Sequence, residues 1–99
     1  MIILNALYAK PDDAEAFQKH YKDIHMPLVL KIPGLHKAEV EMVTATYMGD
    51  AEDFYMIARM YYKTKDDFKI AMQSEENKAT GADVMKFAKG KVSLFVTEI

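Results

Sequence analysis

Apolar and polar residues alternate with a period of two in four segments of the chain, which is the pattern of β-strands. The segments run from Ile2 to Tyr8, Leu35 to Thr46, Phe54 to Lys63 and Val92 to about Ile99. The first and third are largely apolar on both faces, as strands at the centre of a sheet are. The second carries Glu39 and Glu41 on one face, which is typical of a half-exposed edge strand.

Between these strands, apolar residues recur every three or four positions, as they do in amphipathic helices. The first helix is predicted to begin after Asp13, and Pro27 within its pattern predicts a kink or a break. The second is predicted to begin after Thr64. Further capping residues at Ser74 and in the segment from Thr80 to Asp83 predict that this second helical region is divided into pieces.

The order strand, helix, strand, strand, helix, strand predicts an α+β fold of the ferredoxin-like βαββαβ type. In this fold a four-stranded antiparallel sheet has the first and third strands at its centre and both helices on one face. The other face would expose several apolar residues of the central strands. Because large apolar patches mark interfaces, we expect a homodimer whose subunits pack through this sheet face.

Composition limits the classes of function. Ninety-nine residues predict a single domain, 1–99, and 51% hydrophobic residues point to burial beyond one small monomer. A net charge of -2 with interleaved signs argues against a nucleic-acid partner, and no apolar run approaches a membrane span. The apolar opening segment is too short for a signal peptide, and the absence of cysteine fits a reducing, cytoplasmic location.

The histidines are the first candidates for chemistry. On a regular helix, His20 and His25 point about 140° apart, so they are not expected to share a ligand, and no metal site is predicted. His25 suits a general acid or base in the crevice between helix and sheet. The alternative is a structural His25 bonded to backbone carbonyls near the helix end. His20 and His36 are interpreted as solvent-facing.

Several other polar residues fall in apolar surroundings. Tyr8, Tyr61 and Tyr62 are able to present hydroxyls to a pocket, although tyrosines of small cores usually serve packing. Arg59 needs a carboxylate or an anionic ligand, and a pair with Glu39 or Glu41 is the simpler interpretation. Asn5 is a polar residue in a central strand, which a crevice would explain. The four glycines are scattered at turns, so no nucleotide cofactor is expected.

The order and spacing of several short segments resemble the EthD family, small proteins named for ethyl tert-butyl ether degradation. The segments are Leu7-Tyr8, His20-Tyr21, His25-Met26-Pro27-Leu28, Ile32-Pro33-Gly34-Leu35 and Ala79 to Val84. The resemblance implies a dimeric α+β barrel with oxidoreductase-related activity and His25 facing a pocket. The chain lacks tryptophan and has no histidine beyond His36, which departs from the haem-degrading pattern of the wider superfamily. No haem is therefore expected.

Three hypotheses follow. The first is a homodimeric, cofactor-independent enzyme or accessory protein for a small apolar, oxygen-bearing organic molecule. Its catalytic residues would be His25, Tyr21 and Tyr8, with Asn5, Arg59 and Tyr61 binding the substrate. The second is a module that binds or carries a small hydrophobic ligand without turning it over. The third is a structural dimer whose crevice is filled by its own side chains.

Overall fold

The four predicted strands form one antiparallel sheet in the computed structural model, which describes residues 1–99. They are β1 (Ile2–Tyr8), β2 (Lys37–Met42), β3 (Met56–Tyr62) and β4 (Val92–Glu98). Their spatial order is β2-β3-β1-β4, with every neighbouring pair antiparallel. This order confirms the predicted ferredoxin-like fold, with β1 and β3 at its centre and β2 at an edge.

The helices begin where the capping residues predict. They are α1 (Ala14–His20), a π-helical turn (Tyr21–His25), α2 (Met26–Val29), α3 (Lys65–Met72) and α4 (Glu75–Phe87). Asp13, Thr64 and Ser74 each accept a hydrogen bond from a backbone N–H three residues further on. These bonds satisfy otherwise unpaired donors at the starts of α1, α3 and α4. None of the helices is long and apolar enough to cross a membrane.

The predicted division between Thr80 and Asp83 is wrong, because α4 runs through this segment without interruption. Thr80 does not cap a helix start. Its hydroxyl donates to the carbonyl of Glu76, 2.8 Å away and one turn back, which satisfies the side chain inside a continuous helix. Asp83 consequently projects from the middle of α4.

The predicted kink or break at Pro27 takes another form, because helical residues continue past it to Val29. The irregularity lies one turn earlier, where the N–H of Met26 donates to the carbonyl of Tyr21, five residues back. A proline lacks an N–H and its ring presses on the carbonyl four residues before it. The wider π turn directly before Pro27 relieves that crowding, and such turns are frequent at functional sites.

The two faces of the sheet differ in what covers them. The helices pack on the face that carries the buried side chains of β1 and β3, which are Ile2, Ala6, Tyr8, Met56, Ala58, Met60 and Tyr62. Strand registry places another set on the opposite, bare face, namely Ile3, Asn5 and Leu7 of β1 and Ile57, Arg59 and Tyr61 of β3. This face thus combines the predicted apolar residues with two polar ones at its centre.

Candidate functional site

A cavity of about 210 Å³ lies between the helices and the helix-covered face of the sheet. Ten of its fourteen lining residues are hydrophobic. Its polar lining residues include His25, Asn77 and Thr80 from the helices and Tyr8 and Tyr62 from the sheet. Since an engineered apolar cavity of about 150 Å³ binds benzene, this space holds one ring with a few additional atoms.

His25 is buried at the wall of this cavity, with 3% of its surface exposed. Its Nδ1 lies 2.9 Å from Oδ2 of Asp83 on α4. An ionised carboxylate only accepts hydrogen bonds, so Nδ1 carries the hydrogen and Nε2 keeps the lone pair. The alternative in which His25 bonds to backbone carbonyls is not what the structure has. The arrangement leaves Nε2 as the nitrogen available to a ligand.

His20 binds the same carboxylate, with Nε2 at 2.9 Å from Oδ1 and 3.1 Å from Oδ2 of Asp83. The expectation that the two rings point about 140° apart is therefore wrong, and His20 is only partly solvent-facing, with 26% of its side chain exposed. The physical reason is the π turn between them. It turns less per residue than an α-helix, so side chains five positions apart come to lie on one side.

The protonation states follow from burial and these hydrogen bonds. Burial lowers the pKa of His25 more than its hydrogen bond to Asp83 raises it, which favours the neutral ring. Burial acts to raise the pKa of Asp83, but the hydrogen bonds from His25 and His20 outweigh it and leave that pKa below its ordinary value. At neutral pH the pair is a neutral imidazole held by an ionised carboxylate, which is the state of a general base.

The two predicted catalytic tyrosines lie near His25. The rings of Tyr21 and His25 have centroids 5.1 Å apart, and those of Tyr8 and Tyr21 are 5.8 Å apart and edge to face. Burial raises the pKa of Tyr21 to about 12, and burial together with the charges of Tyr21 and Asp83 raises that of Tyr8 further. Both hydroxyls stay protonated at neutral pH. Tyr8 lines the cavity, whereas Tyr21 packs behind it.

Tyr62 has the most unusual environment of the cavity residues. It is fully buried, and its hydroxyl has no hydrogen-bond partner in the protein. Burial raises its pKa to about 12, so the hydroxyl is a donor at neutral pH. Because leaving a buried polar group unpaired costs about 1–3 kcal/mol, the protein bears this cost at a residue that lines the cavity.

The other three predicted site residues lie on the bare face, away from His25. The amide nitrogen of Asn5 donates to the Thr97 hydroxyl at 2.9 Å, so strand β4 satisfies it. Arg59 is paired with the carboxylate of Glu41, which confirms the structural pair expected for it. The Tyr61 ring lies under the Lys37 ammonium, 4.6 Å from its centroid. The six predicted residues do not form a single site.

The sequence pattern does not identify Asp83 as a site residue, because its segment resembles a helix cap. The available signal was its position among Thr80, Val84 and Phe87, which share the buried stripe of α4. A carboxylate on such a stripe needs a partner, because a buried charge without one is costly. Two histidines on the first helical segment supply it.

The site has few groups suited to an ion. No group of three or more histidine, aspartate or glutamate side chains is arranged to hold a metal ion. The cavity lining contains no lysine, arginine, aspartate or glutamate. With only neutral hydroxyl, amide and imidazole groups among apolar side chains, the cavity is suited to an uncharged molecule.

Solved structures with the same fold include both similar and distant sequences. An EthD family protein from Bacillus halodurans C-125 is 40% identical, with a TM-score of 0.92 over 100% of this chain and 98% of that one. An EthD-like protein from Ralstonia eutropha JMP134 is 18% identical, with a TM-score of 0.71 over 98% and 89%. A dimeric ferredoxin-like protein of unknown function from Thermobifida fusca is 12% identical, with a TM-score of 0.72 over 99% and 90%. The last two likenesses show the fold alone.

Sequence comparison identifies the family. An uncharacterized 11.0 kDa protein from the thcB-thcC intergenic region of Rhodococcus erythropolis is 31% identical over 98 residues, which cover 99% of this chain and 94% of that protein. The model of the EthD domain matches residues 10–91, a span that includes both histidines and Asp83. Together with the close likeness to the Bacillus halodurans structure, these matches show that the chain belongs to the EthD family.

Proposed function

We propose that this protein catalyses proton transfer on a small, uncharged, apolar molecule that carries an oxygen atom, with His25 as the general base and no cofactor. The observation that carries the proposal is the pair of His25 and Asp83 at the wall of an apolar cavity. Asp83 holds the ring through Nδ1 and stabilises the imidazolium that forms when Nε2 accepts a proton. The family membership is compatible with this reaction and does not specify it.

The chemistry assigns a role to each cavity group. His25 would remove a proton from a carbon next to a carbonyl, or from a hydroxyl, and would return it at the same or another atom. Tyr8 and Tyr62, which line the cavity from opposite ends of the paired central strands, would offer hydroxyl donors to the oxygen on which negative charge develops. No electrons enter or leave in this step. The oxidoreductase association implied by the resemblance remains a prediction.

We further propose that the active form is a homodimer that buries the bare sheet face. The Thermobifida fusca relative is described as dimeric, and the fold is shared. Leu7 and Ile57, paired across β1 and β3, are apolar residues of this face, and Phe95 of β4, paired with Asn5, is 43% exposed on it. A second copy of the same face is the simplest cover.

A deuterium-exchange assay tests the proton-transfer proposal. Cyclohexanone, a small ring with one carbonyl, would be incubated with protein in heavy water, and deuterium at its α-carbons followed by NMR. We expect the wild type to accelerate the exchange over buffer and His25→Gln to lose that acceleration. His36→Gln, at an exposed histidine, is the matched control. Equal rates for wild type and His25→Gln would refute the role of His25.

The second candidate function is binding or transport without turnover. The apolar cavity favours it, because binding an apolar molecule there needs no base. Native mass spectrometry of protein purified without added ligand distinguishes the two. Retained small-molecule mass, together with no exchange on cyclohexanone and unchanged retention in His25→Gln, would support the carrier function.

A further inference from the structure

We propose that Asp83 and His20 form a proton path that connects His25 at the apolar cavity with a groove on the protein surface. The inference rests on the proposed function, since it concerns where the proton held by His25 exchanges with water. The proposal gives His20 a role, although binding of a ligand in the cavity does not require this residue. Asp83 and His20 act through His25 and are not in contact with the ligand.

The two histidines line different spaces. His25 lines the apolar cavity, whereas His20 lines a groove of about 430 Å³ between the start of α1 and the end of α4. The ring of Phe87 packs against both imidazoles, with centroids 4.7 Å from His20 and 5.0 Å from His25. An apolar ring thus packs against both histidines, and Asp83 supplies the polar connection between them.

Side-chain exposure increases from His25 through Asp83 to His20. The side chains of His25 and Asp83 are 4% and 7% exposed, while that of His20 is 26% exposed. Of these three groups, His20 is therefore the one that contacts water. A buried base needs such a group if protons are to be exchanged while the cavity is occupied by an apolar ligand.

The distances allow each transfer. Oδ2 of Asp83 lies 2.9 Å from Nδ1 of His25 and 3.1 Å from Nε2 of His20, so one oxygen is within hydrogen-bond distance of both rings. The path is therefore already assembled in the protein.

The path moves one proton from the ligand to water and leaves the charge of the protein unchanged. When Nε2 of His25 takes a proton from the ligand, the proton on Nδ1 passes to Oδ2 of Asp83. The tautomers of His20 interconvert by exchange with water, and the one with an unprotonated Nε2 accepts that proton from Oδ2. His20 then releases its Nδ1 proton to the groove. The ligand is left as its anion, Asp83 is again ionised, and one proton has reached water; the reverse order returns a proton to the product.

The test measures hydrogen exchange of the His25 Nδ1–H by NMR on the full chain, labelled with nitrogen-15 and without substrate. His20→Gln keeps a donor for Asp83 but is unable to accept and release a proton. We expect this variant to slow the exchange by about tenfold or more, as the loss of a proton-transfer group does. In His20→Gly, added imidazole should restore the rate by occupying the vacated space. His36→Gln should leave the rate unchanged.

The direction of the change in exchange rate distinguishes the proton path from loss of packing and from direct entry of water. Loss of packing in the His20 variants would open the structure and speed the exchange, which is the opposite sign and would overturn the proposal. An unchanged rate would mean that water reaches His25 through the cavity mouth, and would also overturn it. The cyclohexanone assay tests His25 as a base separately, so failure of the proposed function is visible even where the exchange result is positive.

Discussion

The two faces of the sheet differ in how their polar residues are satisfied. On the bare face, Asn5 and Arg59 find their partners within the sheet, in Thr97 and Glu41. On the helix-covered face, the Tyr62 hydroxyl has no partner, and His25 is held at one nitrogen only. Since protein interiors rarely leave polar groups unpaired, the unsatisfied groups are the ones that indicate a ligand site. The polar groups that are paired within the sheet have a structural role.

The largest effect that would test this difference is expected for Asp83→Asn. An amide is a weaker acceptor that stabilises no imidazolium, so cyclohexanone exchange should fall by about a hundredfold or more. The nitrogen-15 shifts of His25 should report a changed tautomer balance. Asp66→Asn, at an exposed carboxylate in the first turn of α3, is the control. Unaltered exchange in Asp83→Asn would show that His25 does not depend on it.

The next effect concerns the bare face. Ile57 lies there between Leu7 of β1 and Glu41 of β2. Ile57→Asp places a charge in the proposed dimer interface of each subunit and should cost about 2 kcal/mol or more of association. Analytical ultracentrifugation should then find monomer where the wild type is a dimer. Ile70→Asp changes an exposed isoleucine of α3 and should remain dimeric. A wild-type monomer would end the interface proposal.

A smaller effect compares two adjacent tyrosines on opposite faces. Tyr62→Phe removes the unpaired hydroxyl and should raise the free energy of unfolding by about 1 kcal/mol. It should also weaken binding of cyclohexanone by a factor of up to about ten, while binding of methylcyclohexane is unchanged. Tyr61→Phe, on the bare face, is the matched control. If calorimetry finds the same ratio of cyclohexanone affinity to methylcyclohexane affinity in wild type and Tyr62→Phe, the Tyr62 hydroxyl does not bind the ligand.

The smallest effect is the pH dependence of stability. The folded state lowers the pKa of His25, so below its ordinary value of 6.5 the unfolded chain binds more protons and the free energy of unfolding should fall with falling pH. Tyr8, Tyr21 and Tyr62 have raised pKa values, so stability should also fall above pH 10. Urea unfolding across this range measures both limbs. His25→Gln should reduce the loss of stability at acidic pH and leave the loss at alkaline pH unchanged. If the acidic loss is unchanged, groups other than His25 cause it.

Part of the site was predictable because it depends on local spacing. The alternation in β1 and β3 places Tyr8 and Tyr62 on the face that the helices cover. The same alternation places Arg59 next to the glutamates of the edge strand, which yields its partner. The same alternation places Asn5 and Tyr61 on the opposite face. It therefore argues against the prediction that these two residues share a site with His25.

The pairing of the two histidines was not predictable from an ideal helix. An α-helix places His20 and His25 on opposite flanks, and only the π turn before Pro27 changes that phase. Asp83 is distant in sequence, since 58 positions separate it from His25. The packing of α4 against the π turn decides that contact.

The amino-acid sequence was sufficient to predict the strand order, the central and edge strands, the helix starts and the family. These features follow from periodicity, capping residues and short segments, all of which act over a few neighbouring positions. Tertiary packing brings His20, Asp83 and His25 into one hydrogen-bonded cluster and leaves the Tyr62 hydroxyl without a partner. A hydrogen bond requires two groups within about 3 Å, and over long sequence separations that distance is set by how helices pack on the sheet.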